Sequence, residues 1–138
     1  MNSLWAVVPA AGSGRRLGGD IPKQYREIAG APLLEHTLRA LLGSADVRGV
    51  VVALDPSDRR ADAIASLSDV RVQTVPGGAE RAHSVLAGLE HLALQAGDDD
   101  WVLVHDAARP CLSLDALSAL IAEARSLNEG VILASPVA

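Results

Sequence analysis

Aromatic residues are scarce in this sequence, and their scarcity excludes several kinds of binding surface. The 138 residues include two Trp, one Tyr and no Phe. Proteins that bind single-stranded nucleic acid, and sheets that recognise RNA, stack bases on aromatic rings. The net charge of -5 also argues against a basic nucleic-acid surface. We therefore expect no nucleic-acid partner.

Cysteine and long apolar runs are equally scarce. Cys111 is the only cysteine, which excludes a disulfide framework and a cysteine-rich zinc site. No apolar run reaches the roughly 18 residues needed to cross a membrane. The first apolar stretch leads into Pro9 without the pattern of a signal peptide. We expect a cytoplasmic protein that has no membrane partner.

Lysine is the rarest charged residue in the chain. Of the 12 basic residues, 11 are arginine and one, Lys23, is lysine. Hydrophobic residues make up 49% of the chain and charged residues 21%, a balance typical of a domain with a packed core. Because a lysine ammonium is more compact than a guanidinium, the single position where lysine stands is of particular interest.

Apolar runs and amphipathic segments alternate along the chain. Continuous Val-rich runs predict strands that are buried on both faces, and helical spacing predicts helices between them. This alternation indicates an α/β fold with a doubly wound, mostly parallel sheet. The predicted strands are Leu4–Pro9, Gly49–Leu54, Val70–Val75, Trp101–Val104 and Gly130–Ala134; the predicted helices are Leu33–Leu42, Pro56–Leu67, Arg81–Gln95 and Ser113–Leu127, with Ser57 and Ser113 as N-caps.

The last predicted strand is followed by only a few residues and by no helix. A parallel sheet that ends on an uncovered strand is unusual. We therefore expect residues 1–138 to form the N-terminal part of a larger single domain, truncated after the fifth strand.

The loop after the first strand is a candidate phosphate-binding segment. Ligands of open α/β sheets bind beyond the carboxyl ends of the strands, and residues 10–32 show little helical or strand pattern. Gly12 and Gly14 allow backbone N–H groups to approach a phosphate. Arg16 can form a forked contact with phosphate oxygens, and Lys23 adds a compact charge.

Other interpretations of this loop fit less well. The P-loop pattern is absent, and a dinucleotide-binding fingerprint would have a third glycine where Leu17 stands. Such a fingerprint would also have its acidic residue closer than Asp55. Two cations favour a nucleoside triphosphate. A dinucleotide-binding oxidoreductase domain and a non-catalytic module with a solvated Gly-rich turn remain as alternatives.

Two further loops carry polar residues at the same predicted edge of the sheet. After strand three, Gly77 and Gly78 precede Ser84, whose hydroxyl could read a base edge, although a simple helix start explains the same residues. After strand four, Asp106 and Arg109 have the spacing of a metal or phosphate site. A carboxylate suits Mg²⁺, and a local ion pair between the two residues is the alternative.

Together the three loops resemble the signature of the 2-C-methyl-D-erythritol 4-phosphate cytidylyltransferases. The resemblance covers essentially the whole chain, and three segments in the right order are strongly specific. It rests on Val8–Arg16 with Pro22–Tyr25, on Gly77–Val85, and on Val104–Pro110. It implies a Rossmann-like nucleotidyltransferase fold in which residues 1–138 are the CTP-binding part. It also implies CTP and a sugar-alcohol phosphate as substrates, Mg²⁺ as cofactor, and a homodimer formed through a C-terminal arm. A ribitol 5-phosphate cytidylyltransferase is the nearest alternative.

The resemblance also implies roles for individual residues. Arg16 and Lys23 match the pair that stabilises the transition state. Asp106 matches a position near the metal, and Asp106 and Arg109 match positions near the acceptor phosphate. The implied CTP-binding residues are Pro9, Ala10, Ala11, Gly12, Ser13, Gly14, Gly78, Ala79, Arg81, Ser84, Asp106 and Ala107.

Overall fold

The computed structural model describes residues 2–12 and 20–137, and its largest feature is a four-stranded parallel sheet. In chain order the elements are β1 (Leu4–Ala10), a 3-10 turn (Lys23–Tyr25), the two strands of a small antiparallel hairpin, β2 (Glu27–Ile28) and β3 (Ala31–Pro32), then α1 (Leu33–Leu42), β4 (Val47–Leu54), β5 (Val72–Pro76), α2 (Arg81–Leu92), β6 (Trp101–Val104) and α3 (Leu114–Leu127).

The strands of the sheet lie in the order β5-β4-β1-β6, and every neighbouring pair is parallel. Val7 of β1 is in register with Val51 on one side and with Val104 on the other. The chain thus builds outwards from β1 to β5 and then crosses to the opposite side of β1. The order reverses between β1 and β6, and such a switch point forms a crevice at the carboxyl ends of the strands.

Side chains alternate between the two faces of the sheet, as β geometry requires. Ala6 and Val8 of β1 belong to one core cluster, which also includes Leu38 of α1 and Leu117 of α3. Trp5 and its neighbours on the opposite face pack in a second cluster, together with Leu92 of α2. Helices therefore cover both faces, which confirms the predicted doubly wound α/β fold.

The predicted helix Pro56–Leu67 is wrong. Two short 3-10 helices, Arg59–Ala63 and Ala65–Ser68, occupy this stretch instead. Of its apolar side chains, only that of Ile64 is buried, so no apolar stripe holds a full helix against the sheet.

The predicted cap at Ser57 is wrong for a related reason. The carboxylate of Asp55 accepts hydrogen bonds from both the backbone N–H and the hydroxyl of Ser57, which closes a turn before any helix begins. Asp58 acts as the cap, since its side chain accepts from the N–H of Arg60 at 2.9 Å.

The predicted fifth strand, Gly130–Ala134, is also not formed. Ile132 is 86% exposed, and these residues pair with no strand in the described part of the chain. An apolar run becomes a strand only when a neighbouring strand completes its backbone hydrogen bonds. Apolar composition alone therefore overpredicted this element.

Other predicted boundaries are close to the observed ones. Ser113 caps α3 as predicted, with its hydroxyl accepting from the N–H of Ala116 at 3.1 Å. β5 begins at Val72 rather than at Val70, which is 96% exposed. Among residues 2–12 and 20–137, no helix combines the length and apolarity that a membrane crossing requires.

Candidate functional site

The carboxyl ends of the four parallel strands bring the predicted site loops to one edge of the sheet. β1 leads into Gly12, β4 into Asp55, β5 into Gly78 and β6 into Asp106. Because all four strands run in the same direction, these residues follow neighbouring strand ends even though they are far apart in sequence.

Gly77 is the point at which the loops after β1 and β5 meet. Its N–H donates to the carbonyl of Leu54 at 2.7 Å. A Cβ atom at this position would overlap the side chain of Ala11 and lie 2.8 Å from the hydroxyl oxygen of Ser84. The close approach of these loops therefore requires glycine at position 77.

Ser84 holds the second glycine of the same loop. Its side chain is buried, and its oxygen accepts a hydrogen bond from the N–H of Gly78 at 3.2 Å. Since a hydroxyl can both accept and donate, this bond leaves the proton of Ser84 for another acceptor. Ala79 follows at the exposed surface of the loop.

The end of β1 is tied to the 3-10 turn that carries Lys23. The side-chain amide of Gln24 donates to the carbonyl oxygens of Ala10 and Gly12, both at 2.9 Å. Gln24 is buried, whereas Lys23 is exposed beside it. The chain thereby presents its one lysine next to the start of the Gly-rich loop.

Asp106 is held between two arginines. Its Oδ1 accepts from Arg81 Nε at 3.1 Å and from Arg81 Nη2 at 2.8 Å, and its Oδ2 lies 2.9 Å from Arg109 Nε. The ion pair between Asp106 and Arg109 considered from the sequence is thus formed, and Arg81 joins it. Since Arg81 follows β5 and Asp106 follows β6, the cluster links the loops of the two outer strands.

The arginines keep Asp106 ionised. Partial burial alone would raise the pKa of this carboxyl, but the hydrogen bonds from Arg81 and the charges of Arg81, Arg109 and His105 outweigh the effect of burial and lower the pKa below its ordinary value.

The following residue, Ala107, is buried, and its carbonyl accepts a hydrogen bond from the hydroxyl of Thr37 at 2.8 Å.

Asp106 could serve a metal ion as a single protein ligand, but not as part of a cage of protein ligands. No group of three or more His, Cys, Asp or Glu side chains that could hold a metal occurs in the described ranges. A single carboxylate fits a Mg²⁺ ion whose other ligands are substrate phosphates and waters, and not a cage built from protein ligands.

A cleft of about 680 Å³ lies between the end of β1 and the turn after β4. Ala11, Gly12 and Gln24 line one side, and Asp55 and Ser57–Arg60 line the other. Within that second wall, Arg60 Nη1 lies 3.1 Å from Asp58 Oδ1. This wall was not apparent from the sequence, because apolar residues at helical spacing predicted a regular helix over the segment.

Tyr25 is a second feature that the sequence did not single out. Its side chain is 7% exposed, and its hydroxyl has no hydrogen-bond partner among the described residues. Burial, supported by the charges of Asp58 and Asp55 and partly opposed by that of Arg60, raises its pKa to about 12.

Part of the predicted site lies outside the described residues, namely Ser13, Gly14 and Arg16, together with Leu17. Their assigned contributions remain predictions from the sequence. Pro9 and Ala10 are the last residues of β1, and Ala11 and Gly12 follow them before this segment.

Comparisons with known proteins give one consistent result. A family model described as IspD, 2-C-methyl-D-erythritol 4-phosphate cytidylyltransferase, matches residues 4–138. A protein with that enzyme name from Photorhabdus laumondii is 52% identical over 138 residues, covering 96% of this chain and 57% of the relative. Another, from Pseudomonas fluorescens strain Pf0-1, is 50% identical over 135 residues, covering 97% and 57%.

Solved structures agree with the sequence comparisons. A crystal structure of a 4-diphosphocytidyl-2C-methyl-D-erythritol synthase superposes with a TM-score of 0.85 at 38% identity, covering 100% of this chain and 62% of that one. The IspD structure from Francisella tularensis gives a TM-score of 0.72 at 32% identity, covering 91% and 53%. The chain thus spans 57% of the length of the first two curated relatives. A family match over nearly the whole chain, on the same fold, shows that the chain belongs to the 2-C-methyl-D-erythritol 4-phosphate cytidylyltransferase (IspD) family.

Proposed function

We propose that the protein transfers CMP from CTP to 2-C-methyl-D-erythritol 4-phosphate and releases pyrophosphate, a step in non-mevalonate isoprenoid precursor synthesis. The observation that carries this proposal is the family match over residues 4–138. It is supported by the meeting of the signature loops at one edge of the sheet, where α/β folds bind nucleotides.

The reaction needs positioning and charge stabilisation more than covalent help from the protein. An oxygen of the acceptor phosphate attacks the α-phosphorus of CTP and forms a new P–O bond. The bond from the α-phosphorus to the bridging oxygen of the β-phosphate breaks, and pyrophosphate leaves with the electron pair. A phosphate monoester is already an anion at neutral pH, so no general base is required.

The cytosine of CTP would lie at the loops after β1 and β5. Ala10 and Ala11 form one border of this position, and Gly78 and Ala79 form the other. The contact between Ala11 and the backbone at Gly77 keeps the two loops close. A cytosine is read through hydrogen bonds to its polar edge, for which Ser84 supplies a buried hydroxyl.

The triphosphate would be held by the Gly-rich loop and its two cations. Backbone N–H groups from Gly12 to Gly14 would approach the phosphate oxygens, and Arg16 would contact them through its fork. Lys23 would neutralise the charge that develops at the α-phosphoryl group, the kind of electrostatic stabilisation that acts mainly in the transition state.

Asp106 and its arginines would complete the site towards the acceptor. Arg109 is the candidate contact to the acceptor phosphate, and Asp106, with Ala107 behind it, borders the nucleotide. Asp106 would also contribute the protein carboxylate nearest to a Mg²⁺ ion carried by the phosphates. When bound, that ion would offset the charge of pyrophosphate.

The remaining features of the proposal rest on the family. We extend it to a cytoplasmic homodimer in which residues 1–138 are the CTP-binding part of one nucleotidyltransferase domain. A C-terminal arm of the natural protein would exchange between the subunits.

A pyrophosphate-release assay tests the proposed function. The full-length natural protein is given CTP and Mg²⁺ with either methylerythritol phosphate or ribitol 5-phosphate. We expect turnover with the first acceptor, and faster turnover of ribitol phosphate would overturn the acceptor assignment. Titrations with CTP and with NADH are the companion measurement. Binding of NADH without binding of CTP would replace the proposal with a dinucleotide-binding function.

A further inference from the structure

We infer that Gln24 is a positioning residue of this site: its side chain fixes the distance between the Gly-rich loop and Lys23. The inference rests on the proposed function, because it assigns Gln24 a part in presenting Lys23 to the reacting phosphate. Gln24 itself is buried and its amide protons are taken by backbone carbonyls, so it would act through Lys23 and not by binding the substrate.

The geometry of Gln24 is specific to a carboxamide. Its NH₂ group has two protons, and each is used by a different carbonyl, that of Ala10 at 2.9 Å and that of Gly12 at 2.9 Å. These carbonyls belong to residues on either side of Ala11. The amide therefore spans the junction at which β1 ends and the Gly-rich loop begins.

The two bonds also affect the electrostatics of the loop. A carbonyl oxygen that faces a triphosphate would repel it. The carbonyls of Ala10 and Gly12 instead accept hydrogen bonds from Gln24. A carboxylate at position 24 would repel both oxygens, and a shorter amide would reach only one. Glutamine is the standard residue that offers two donors at this reach without a charge.

Lys23 is carried by the same short turn. The N–H of Tyr25 donates to the carbonyl of Pro22 at 3.0 Å, and the N–H of Arg26 donates to that of Lys23 at 3.2 Å. Gln24 and Tyr25 are both buried, so the packing of their side chains holds the turn in place. The Lys23 backbone is thereby set relative to the end of β1, while its side chain is exposed, as contact with a phosphate would require.

Gln24→Met is the first test, made in the full-length natural protein. Methionine has a similar length and no donors. We expect kcat to fall by about 10- to 100-fold, the scale on which catalysis responds to a misplacement of about 1 Å, while the KM for CTP changes much less. A rise in KM with unchanged kcat would contradict the inference.

A double-mutant cycle with Lys23→Ala separates positioning from a general structural role. If Gln24 acts through Lys23, the substitution Gln24→Met costs far less in kcat when Lys23 is already absent, because the group that it positions is gone. Equal losses in both backgrounds would show that Gln24 contributes only to the fold, and would overturn the inference.

Gln24→Glu keeps the test decisive if the methionine variant does not fold. A protonated carboxyl can donate one hydrogen bond, whereas an ionised one donates none. We therefore expect the activity of this variant, relative to the unmodified protein, to rise as the pH is lowered. A pH profile parallel to that of the unmodified protein would count against the inference.

A matched control uses the same chemical change at the surface. The exposed amide of Gln95 exchanges two hydrogen bonds, at 3.1 and 3.2 Å, with the amide of Gln73, which lies on the edge strand β5. Gln95→Glu should leave kcat unchanged.

The unmodified protein is the reference for the proposed function itself. Its failure to release pyrophosphate from CTP would refute the proposed function, whereas an active protein that is indifferent to Gln24→Met would refute only the inference.

Discussion

Lys23 and Tyr25 belong to one short turn and lie in opposite environments. Lys23 is exposed, whereas Tyr25 is 7% exposed and its hydroxyl is unpaired among the residues described. The turn is thus held in the protein by the buried side chains of Gln24 and Tyr25 and presents a cation at its surface. Lys23 and Tyr25 each give a separate test.

Replacement of Lys23 by alanine tests the cation. We expect kcat/KM for pyrophosphate release to fall by the equivalent of about 2–4 kcal/mol, the scale for one preorganised electrostatic group. Lys23→Arg should restore only part of the loss, because the planar guanidinium differs in shape from a compact ammonium. Arg125→Ala, which removes a cation from the exposed pair with Asp46, is the control. An unchanged rate in Lys23→Ala would refute its assigned contribution.

Titration of Tyr25 tests the buried phenol. Its pKa of about 12 in the folded state exceeds the ordinary value of 10, so the folded protein retains the proton longer than the unfolded chain does. This contribution to stability is fully present below about pH 10 and is lost as the pH rises towards 12. We expect phenolate absorbance that is absent in Tyr25→Phe to appear near pH 12, and to move to about pH 10 in denaturant. A midpoint near 10 in the folded protein would contradict the assigned burial.

The same variant tests the unpaired hydroxyl. An unsatisfied buried polar group costs about 1–3 kcal/mol, and phenylalanine has the same ring without that group. Near neutral pH, Tyr25→Phe should leave the free energy of unfolding unchanged or raise it, as measured by denaturant titration. A clear loss of stability would mean that the hydroxyl has a partner.

At the scale of elements, the loops were easier to predict than the segment Pro56–Leu67. Strand ends could be read from Val-rich runs, and in a parallel sheet those ends lie at one edge, so the loops that follow them could be expected to be neighbours. The helix at 56–67 was wrong because Asp55 and Asp58 bond to nearby backbone N–H groups and favour turns. The pairings of Gln24 and of Arg81 depend on which loops are neighbours in space, which spacing along the chain does not reveal.

Glu35 connects helix α1 to the turns that replaced the predicted helix. Its Oε2 accepts from the N–H of Ser66 at 3.0 Å, and its Oε1 accepts from the Ser66 hydroxyl at 2.7 Å and from Arg39 Nε at 2.9 Å. Burial alone would raise the pKa of this carboxyl, but the bonds from Ser66 and Arg39 outweigh it and lower the pKa. One buried carboxylate thus holds an irregular segment against a regular element.

Glu35→Gln should loosen that segment. We expect the free energy of unfolding to fall by about 1–3 kcal/mol, because an amide replaces an anion that accepts charge-assisted bonds. Amide exchange at Ser66 should accelerate more than exchange in β1. Since the pKa of Glu35 is lowered, its contribution is present above the ordinary glutamate pKa and is lost as the pH falls through the folded value. The variant should therefore lose less stability than the unmodified protein in that acidic range.

At the scale of the whole molecule, the loops that follow the parallel strands meet at the carboxyl edge of the sheet. The loops of the two outer strands, β5 and β6, are joined by the cluster of Arg81, Asp106 and Arg109. The loops of β1 and β5 are joined at Gly77, whose backbone N–H also bonds to the end of β4. The candidate site is therefore a property of the strand order, because each of these links joins loops that are distant in sequence.

Gly77→Ala tests the close approach of these loops most directly. The added methyl would overlap Ala11 and lie 2.8 Å from the hydroxyl oxygen of Ser84, so the loops after β1 and β5 must separate. We expect the free energy of unfolding to fall by about 1–3 kcal/mol, the usual cost of overpacking. CTP affinity, measured by calorimetry on the folded variant, should fall as well, because both displaced residues border the proposed cytosine position. Gly130→Ala is the matched control, since a Cβ there would meet no atom of the described residues within 4 Å, and the free energy of unfolding should change by less than about 0.5 kcal/mol. Equal CTP affinity in the two variants would mean that the nucleotide binds elsewhere than at the junction of these loops.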